Sequence, residues 1–268
     1  MDVDAISTEL LDALARNATI APFSTRKQGF DREAAWQVSA EILRRRRDHG
    51  ESPIGRKIGF TNRSIWPEYG VFTPIWAHVF DTTTTFLEQT EGTLAIGHLS
   101  QPRIEPEIVL HFGSAPPATT EDEAGVLSHV DWIAHGFEIV QTHFPGWKFE
   151  AADTIADFGL HGALVVGPRQ SIAGMRDVAR ILREFSITLA KDGALVASGC
   201  GANVLGSPVM SAIHLLRLLR DQQRFQPIQA GEIVTTGTLT SACPIGAGET
   251  WSTQLSGIGL DGLRLHVE

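Results

Sequence analysis

Two glutamates inside an apolar, β-branched run constrain the possible fold of this chain more than any other feature. The run is Ile104-Glu105-Pro106-Glu107-Ile108-Val109-Leu110. Residues two apart in a strand lie on the same face, so both carboxylates are predicted to share one face of a sheet. Like charges held that close raise one another's pKa, and burying them without a partner costs free energy. The strand therefore needs either a cation between the carboxylates or a face open to water.

A third glutamate, Glu138, lies in a similar apolar context, Gly136-Phe137-Glu138-Ile139-Val140. Three hard oxygen donors suit Mg²⁺, Mn²⁺ or Ca²⁺ better than zinc. One hypothesis is therefore a divalent-metal site with Glu105, Glu107 and Glu138 as ligands. The other is an edge strand whose glutamates face water, and the spacing alone leaves both open.

Composition limits the class of partner. The 268 residues, 43% of them hydrophobic, are enough to bury a large core. The formal net charge of −9 argues against general binding to nucleic acid or anionic membranes, because phosphate binding needs a basic surface. A small-molecule ligand is expected instead.

Two further absences bear on location and cofactors. Cys200 and Cys243 are the only cysteines, too few for a disulfide framework and not spaced as metal ligands. The N-terminus lacks the basic and apolar regions of a signal peptide, and no window reaches the roughly 18 apolar residues of a membrane span. A cytoplasmic location is therefore expected.

The first part of the chain is predicted to be helical. Apolar residues at helical spacing predict a helix from Val3 to Arg16, and Asp31 is the predicted N-cap of a second helix. That helix is predicted to end in Arg44-Arg45-Arg46-Arg47, before Gly50. We predict an N-terminal helical region at residues 1–52 and a β-rich catalytic domain at residues 53–268.

From Ile54 onward the pattern changes to short β-rich runs between Gly, Pro, Asp and Thr. Asp192-Gly193 between two apolar runs predicts a hairpin, and Ser207-Pro208 predicts the start of a helix. A shorter helix is predicted near 151–158. Strands with inserted helices favour an α+β class around a rolled or sandwiched sheet. The predicted strands are 57–60, 79–80, 104–112, 132–141, 162–166, 185–190, 194–198 and 233–239.

Four residues outside the glutamates are candidates for ligand binding. Lys57, bracketed by glycines, could point inward and hold a substrate carboxylate or move protons, although a solvated strand lysine fits the same pattern. Asn203 lies in a loop leading into a helix N-terminus, which can bind an anion or be a plain capping turn. Thr236 and Gly237 lie at a strand end, where a glycine allows either close approach to a ligand or a β-bulge.

Histidines offer no compact metal-ligand motif. His78, which follows Trp76 near the lysine segment, is kept as a candidate for proton transfer. No nucleophile elbow and no phosphate-binding fingerprint is present, so covalent acyl transfer and phosphate cradling are not expected. The histidines interpreted as structural are His111, His129, His135, His161 and His214.

Several motifs, in consistent order along nearly the whole chain, carry a family resemblance. Together they resemble the hydratase/decarboxylase branch of the fumarylacetoacetate hydrolase superfamily, which contains 2-hydroxypenta-2,4-dienoate (2-keto-4-pentenoate) hydratases and 4-oxalocrotonate decarboxylases. Each motif is weak alone, and the ordered combination is more specific. The motifs are Lys57-Ile58-Gly59-Phe60-Thr61, Glu105-Pro106-Glu107, Glu138, Ala152-Asp153-Thr154-Ile155-Ala156-Asp157 and Gly201-Ala202-Asn203-Val204-Leu205-Gly206-Ser207-Pro208.

The resemblance implies a mixed β-roll core and a Mg²⁺ or Mn²⁺ ion held by Glu105, Glu107 and Glu138, with Lys57 as the lysine of the pocket. It also implies hydration of a 2-hydroxy-2,4-dienoate to a 4-hydroxy-2-oxo acid in aromatic meta-cleavage catabolism. A homo-oligomer is expected, with a complex with a pathway decarboxylase as a further expectation. The alternatives are a 4-oxalocrotonate-type decarboxylase, an acylpyruvate C–C hydrolase and a non-catalytic subunit of a complex.

This sequence departs from the family pattern at two places. Hydratases of the family carry Gln-Pro-Asp after the lysine motif, and the aspartate resembles part of their acid–base apparatus; here the stretch is Thr73-Pro74-Ile75. We hypothesise that His78 or Asp81 replaces it, so that Lys57, His78 and Asp81 form the predicted catalytic set. The family's Ile-Ala-Asp-Asn is here Ile155-Ala156-Asp157-Phe158, which predicts a more apolar pocket and a bulkier or more hydrophobic substrate.

Overall fold

The computed structural model describes residues 1–268 as eight α-helices and fourteen strands. The helices are α1 Val3–Arg16, α2 Phe23–Arg26, α3 Arg32–Asp48, α4 Trp66–Tyr69, α5 Glu123–Leu127, α6 Ala151–Ala156, α7 Val178–Glu184 and α8 Pro208–Arg220. The strands are β1 Pro53–Gly59, β2 Ile75–Phe80, β3 Thr84–Phe86, β4 Glu91–Leu94, β5 Arg103–Phe112, β6 Val130–Val140, β7 His161–Val166, β8 Gln170–Ser171, β9 Ser186–Lys191, β10 Ala194–Cys200, β11 Ile233–Thr235, β12 Cys243–Pro244, β13 Thr250–Ser256 and β14 Arg264–Val267. Short 3₁₀ turns lie at Arg63–Ile65, Asp81–Thr83, Pro145–Trp147, Phe158–Leu160 and Gly201–Asn203.

Two sheets form the β core. The larger sheet has nine strands in the order β2-β1-β11-β5-β6-β7-β3, with β12 added beside β5 and β8 beside β6. Most of its neighbours are antiparallel, but β1–β11 and β3–β7 are parallel, so the sheet is mixed. The smaller sheet has five strands in the order β10-β9-β13-β14-β4. The larger sheet curls into a half-barrel with an inner and an outer face.

Different elements cover the two faces of the curled sheet. On the inner face, a small cluster of buried aliphatic side chains fills the half-barrel. The outer face packs partly against helices α3 and α8, through residues such as Trp36 and Leu216, and partly against the smaller sheet, through residues such as Trp251. This arrangement keeps the centre of β5 and β6 out of water on both faces.

The predicted α+β class, with a mixed β-roll or sandwich core and N-terminal helices, is confirmed. Helix α1 spans the predicted residues, and the Asp31 side chain caps α3 by accepting a hydrogen bond from Ala34 N at 2.9 Å. Ser207 caps α8, with Pro208 at its first position. The turn between β9 and β10 at Asp192-Gly193 is also as predicted, with both residues at positive φ.

Other elements differ from the predictions. The strand expected over 233–239 ends at Thr235, because Gly237 takes a left-handed φ of 94° and turns the backbone away from the ladder. Helices α2, α4, α5 and α7 and strands β3, β4, β8, β12, β13 and β14 are not among the predicted elements. The division at residues 52 and 53 stays a prediction. None of the eight helices combines the length and the apolar character that crossing a membrane needs.

Candidate metal centre

Strand alternation places four charged side chains on the inner face of the large sheet. In the register of β5 and β6, Glu105 lies opposite Glu138 and Glu107 lies opposite Gly136. Lys57 of β1 pairs with Thr235 of β11, which pairs with Val109 of β5, two residues beyond Glu107. Because paired residues and residues two apart share a face, Lys57 and all three glutamates point into the half-barrel.

The three glutamates form a compact cluster. One carboxylate oxygen from each of Glu105, Glu107 and Glu138 lies within 4.8 Å of the others. Their residues are 9%, 0% and 0% exposed, and β5 is a central strand. The alternative in which these glutamates face water from an edge strand is therefore wrong.

The backbone of Gly237 holds one of these carboxylates. Its N–H donates a hydrogen bond to Glu107 Oε2 at 2.8 Å. A side chain at this position would meet Thr61, since a Cβ would lie 1.8 Å from Thr61 Oγ1. The left-handed backbone and the close approach both require glycine here. Gly237, predicted to bind substrate, thus contacts a predicted metal ligand.

Lys57 supplies the only cation directly among the glutamates. Its residue is 2% exposed, and its Nζ lies 3.0 Å from Gly159 O, to which it donates, and 3.2 Å from Glu138 Oε2. Burial alone lowers the pKa of Lys57, but the charges of Glu138, Glu105 and Glu107 outweigh it and raise the pKa above its ordinary value. The side chain is therefore an ammonium ion.

The carboxylates are perturbed in opposite directions. Burial raises the pKa of Glu138, but Lys57 and the hydrogen bond from His161 outweigh burial and bring the pKa down to about 2. Burial and then the charge of Glu138 raise the pKa of Glu107 well above its ordinary value. Burial likewise raises the pKa of Glu105 to about 7, although Lys57 opposes it. Without a further cation, Glu105 and Glu107 therefore resist ionisation, and a bound cation would favour their charged forms.

The cluster fits a hard divalent cation. Glu107 Oε1 is buried and has no hydrogen-bond partner in the protein, and the one polar partner of buried Glu138 Oε2 is the Lys57 ammonium at 3.2 Å. Buried acceptors without partners are costly, and three carboxylates face a single ammonium. Oxygen ligands in this number are those that Mg²⁺, Mn²⁺ or Ca²⁺ takes from proteins.

A narrow cavity opens beside Lys57 and Glu105. Its remaining walls are mostly apolar, and one of them is Leu160, two residues beyond the altered Ile155-Ala156-Asp157-Phe158 segment. Phe158 itself does not line this cavity and packs 5.9 Å from the His143 ring. The lining residues are Lys57, Gly59, Phe60, Ile65, Tyr69, Glu105, Val140, Trp147 and Leu160.

Aromatic side chains close the outer end of this cavity. The Tyr69 ring lies 6.1 Å from that of Trp147 and stacks on Phe149 at 6.0 Å. Arg103, on the same face of β5 as Glu105, lies 4.3 Å from the Trp147 ring centroid and donates to the Tyr69 hydroxyl at 2.5 Å. Burial is the main reason that the pKa of Tyr69 rises well above its ordinary value, so its hydroxyl keeps its proton.

His161 belongs to the cluster, although the sequence indicated only a structural residue. It begins β7, and its Nδ1 lies 2.9 Å from Glu138 Oε1. Its Nε2 lies 2.9 Å from the Thr83 hydroxyl. No local pattern signals this role, because Glu138 and Thr83 are 23 and 78 residues away in sequence.

The structure does not bring His78 or Asp81 to the cluster. His78 pairs with Arg56, whereas Ala77 pairs with Lys57, so His78 lies on the outer face, among Trp76 and Phe225. Asp81 is exposed and accepts hydrogen bonds from the backbone of Ser52 and Thr82. Both lie outside the cavity lining, so neither can take the proton-transfer role that we hypothesised for them.

Two other residues predicted to bind substrate, Asn203 and Thr236, donate hydrogen bonds to backbone carbonyl oxygens instead. Asn203 Nδ2 donates to Leu239 O at 2.8 Å, and Thr236 Oγ1 donates to Ile108 O at 2.9 Å. Neither lines the cavity. Of the four residues predicted to bind substrate, the structure therefore leaves Lys57 facing the cavity.

This chain is similar to a known family and to relatives of named activity. The family described as Fumarylacetoacetate (FAA) hydrolase C-terminal matches residues 71–263. The 2-hydroxyhexa-2,4-dienoate hydratase of Comamonas testosteroni is 30% identical over 263 residues, covering 96% of this chain and 95% of the relative. The 4-oxalocrotonate decarboxylase of Pseudomonas putida is 30% identical over 226 residues, covering 84% of this chain and 82% of the relative.

A solved structure shows the same fold. The 4-oxalocrotonate decarboxylase of Pseudomonas putida G7, complexed with magnesium and adipate, superposes with a TM-score of 0.89 at 24% sequence identity. The match covers 100% of this chain and 97% of that one. The resemblance inferred from the ordered motifs is confirmed.

Proposed function

Since this chain belongs to the fumarylacetoacetate hydrolase family, we propose that it is a metal-dependent lyase that hydrates a 2-hydroxy-2,4-dienoate to a 4-hydroxy-2-oxo acid. One observation carries the proposal. A buried ammonium, Lys57, and the carboxylate of Glu105 line an apolar cavity, and Glu105 belongs to the same cluster as the buried carboxylates of Glu107 and Glu138. This arrangement suits a substrate with a charged 2-oxo acid head and an unsaturated apolar tail.

The proposed metal ligands are Glu105, Glu107 and Glu138, in agreement with their compact geometry and with the buried Glu107 Oε1, which lacks a partner. A divalent cation bound there would supply Lewis-acid polarisation of the substrate's carboxylate and C2 oxygen. The magnesium in the structure of the Pseudomonas putida decarboxylase supports a divalent cation, and Mg²⁺ and Mn²⁺ are the candidates. We also propose that the enzyme acts as a homo-oligomer.

Lys57 is the proposed catalytic residue of the protein itself. Its ammonium lies at the cavity wall and can stabilise negative charge on the C2 oxygen, the place where charge develops when the dienol loses its proton. Gly159 O and Glu138 hold the ammonium in place. Preorganised charge of this kind is worth more in a site without bulk water than on an exposed surface.

The reaction balances in two steps. First the C2 hydroxyl loses its proton and C5 gains one, which gives a 2-oxo acid with a double bond between C3 and C4. Water then adds across that double bond, with its hydroxyl on C4 and its proton on C3. The apolar walls formed by Phe60, Val140 and Leu160 limit the water that reaches the intermediate ketone.

Decarboxylation of an oxalocrotonate-like diacid is the second candidate. The cavity lining holds no imidazole and no carboxylate besides Glu105, so it offers no free base to activate water. Ile75 stands where the hydratases of the family have the aspartate of Gln-Pro-Asp. It lies near Lys57, since a Cβ placed at Gly59 would be 3.1 Å from Lys57 Nζ and 3.9 Å from Ile75 Cγ1. Loss of CO₂ needs the same stabilisation of negative charge on the C2 oxygen and one proton donor, but it needs no activated water.

One assay separates the two candidates. The protein is supplied with Mg²⁺ or Mn²⁺ and offered 2-hydroxypenta-2,4-dienoate or 4-oxalocrotonate, while ultraviolet absorbance and CO₂ release are followed. Absorbance loss without CO₂ supports hydration, and CO₂ release supports decarboxylation. Metal-independent turnover, or turnover of neither compound, would refute the proposed function.

A further inference from the structure

His161 occupies a fully enclosed position between the glutamate cluster and the turn at Asp81–Thr83. Its side chain is 2% exposed, and that of Glu138 is 0% exposed. Each ring nitrogen has one partner at 2.9 Å: Glu138 Oε1 for Nδ1 and Thr83 Oγ1 for Nε2. The imidazole therefore joins the cluster to a half-buried threonine on a separate segment of the chain.

These contacts assign the tautomer of the ring. A carboxylate oxygen only accepts, so Nδ1 must carry the proton that is donated to Glu138. In the neutral ring only one nitrogen carries a proton, and the contact with Glu138 assigns that proton to Nδ1. Nε2 is then an acceptor and requires the hydroxyl proton of Thr83. Phe80 O, the other acceptor near that hydroxyl at 3.2 Å, has a second donor in Thr84 Oγ1 at 2.9 Å.

The two oxygens of Glu138 consequently have different roles. Oε1 is fixed by His161, whereas Oε2 has no hydrogen-bond partner and lies 3.2 Å from Lys57 Nζ. Without the hydrogen bond from His161, the carboxylate could rotate and offer both oxygens to the ammonium. The carboxylate would then form a closed ion pair with Lys57 and point away from Glu105 and Glu107.

We propose that His161 is a positioning residue of the glutamate cluster, which fixes Glu138 Oε1 so that Oε2 remains available to a divalent cation. Thr83 supports this role, because its hydroxyl donates to Nε2 and so holds the ring in the tautomer that donates to Glu138. The proposal rests on the proposed metal centre. Partners that orient a ligand in this way typically change metal affinity by about 10- to 100-fold.

The test is calorimetric titration of the full-length protein with Mn²⁺, which reads metal binding without turnover. His161→Phe fills the same space without a donor, and its dissociation constant is expected to rise about 10- to 100-fold. His161→Asn keeps an amide N–H near the position of Nδ1, and it is expected to bind Mn²⁺ better than His161→Phe. Circular dichroism establishes that each variant is folded.

Thr83→Val provides a second variant at a half-buried position, should His161→Phe fail to fold. It removes the hydroxyl that fixes the tautomer, and weaker Mn²⁺ binding is expected. Wild-type affinity in folded His161→Phe, or in Thr83→Val, overturns the proposal, as does an asparagine variant as weak as the phenylalanine variant. Absence of Mn²⁺ binding by the wild-type protein would instead refute the metal centre itself.

Discussion

Arg56 and Lys57 are adjacent in β1, each 2% exposed, yet they point to opposite faces of the sheet and have different surroundings. Arg56 Nη1 lies 2.9 Å from Glu232 Oε2, and its guanidinium is 5.6 Å from the Trp76 ring centroid. Lys57 faces Glu138 and two further carboxylates. One cation on the outer face meets one carboxylate, whereas one cation on the inner face meets three.

The difference separates a structural ion pair from a binding site. The outer pair sets one cation against one carboxylate beside Trp76, and we expect it to contribute to the fold. The inner cluster carries an excess of two carboxylates over its single ammonium, counting Glu105, Glu107 and Glu138 against Lys57. Burial of unbalanced charge is unfavourable, and a divalent cation would remove the imbalance. The comparison predicts opposite responses to matched substitutions on the two faces.

The largest effect is expected from Lys57→Met. Loss of the ammonium should reduce turnover of the dienoate by about two to four orders of magnitude, because the charge that stabilises the C2 oxygen is removed. Mn²⁺ binding should be retained, since the three glutamates remain. Steady-state kinetics and calorimetric titration measure the two effects. Full turnover in this variant would show that the inner cation has no catalytic role.

On the outer face, Glu232→Leu should mainly affect folding. It leaves the guanidinium of Arg56 buried without its carboxylate, and removing one partner of a buried ion pair costs about 3–5 kcal/mol. Urea unfolding measures the loss. The matched inner-face variant, Glu105→Gln, should instead stabilise the metal-free protein, because it relieves repulsion among carboxylates. Equal destabilisation by both variants would remove the distinction between the faces.

Addition of Mn²⁺ should raise the free energy of unfolding, and it should do so only by binding to the glutamates of the inner face. At a free Mn²⁺ concentration 100 times the dissociation constant, the free energy of unfolding should rise by about 2.7 kcal/mol. Glu232→Leu should show the same increase, and Glu107→Gln should show none. Denaturant unfolding with Mn²⁺ or with a chelator measures these increments. An increment that persists in Glu107→Gln would locate the metal elsewhere.

The smallest effect is expected from His78→Phe. Burial, and then Arg56, Arg47 and Arg46, hold the pKa of His78 well below its ordinary value of 6.5. The unfolded chain therefore binds a proton at pH values where the folded protein does not, and stability falls as the pH drops below 6.5.

His78→Phe should make this decline shallower, while turnover and Mn²⁺ affinity stay at wild-type values. Unfolding at a series of pH values, together with kinetics at neutral pH, checks both statements. A large loss of turnover would return His78 to the mechanism despite its place on the outer face.

Local patterns were enough to predict part of the site. Alternation over three residues placed Glu105 and Glu107 on one face, and the motif order added Glu138 and Lys57 to the same cluster. Helix caps at Asp31 and Ser207 are local as well. The alternation and the caps depend on neighbours within a few residues, whereas Glu138 and Lys57 were assigned to the cluster through the family resemblance.

The other parts depend on long-range register. Whether His78 shares a face with Lys57 is decided by the pairing of β1 with β2, which sets Arg56 opposite His78. The role of His161 depends on contacts with Glu138 and Thr83 that only the folded sheet creates. The early end of β11 at Thr235 reflects the hydrogen bond from Gly237 to Glu107, across 130 residues of sequence.

The central claim is that the unbalanced carboxylates of the inner face bind a divalent cation. Calorimetric titration of metal-free protein with Mn²⁺ tests it most directly, with the wild type, Glu107→Gln and Glu232→Leu compared under the same conditions. The account predicts one site per chain in the wild type, the same affinity in Glu232→Leu and no measurable binding in Glu107→Gln. Equal binding by all three proteins would contradict it.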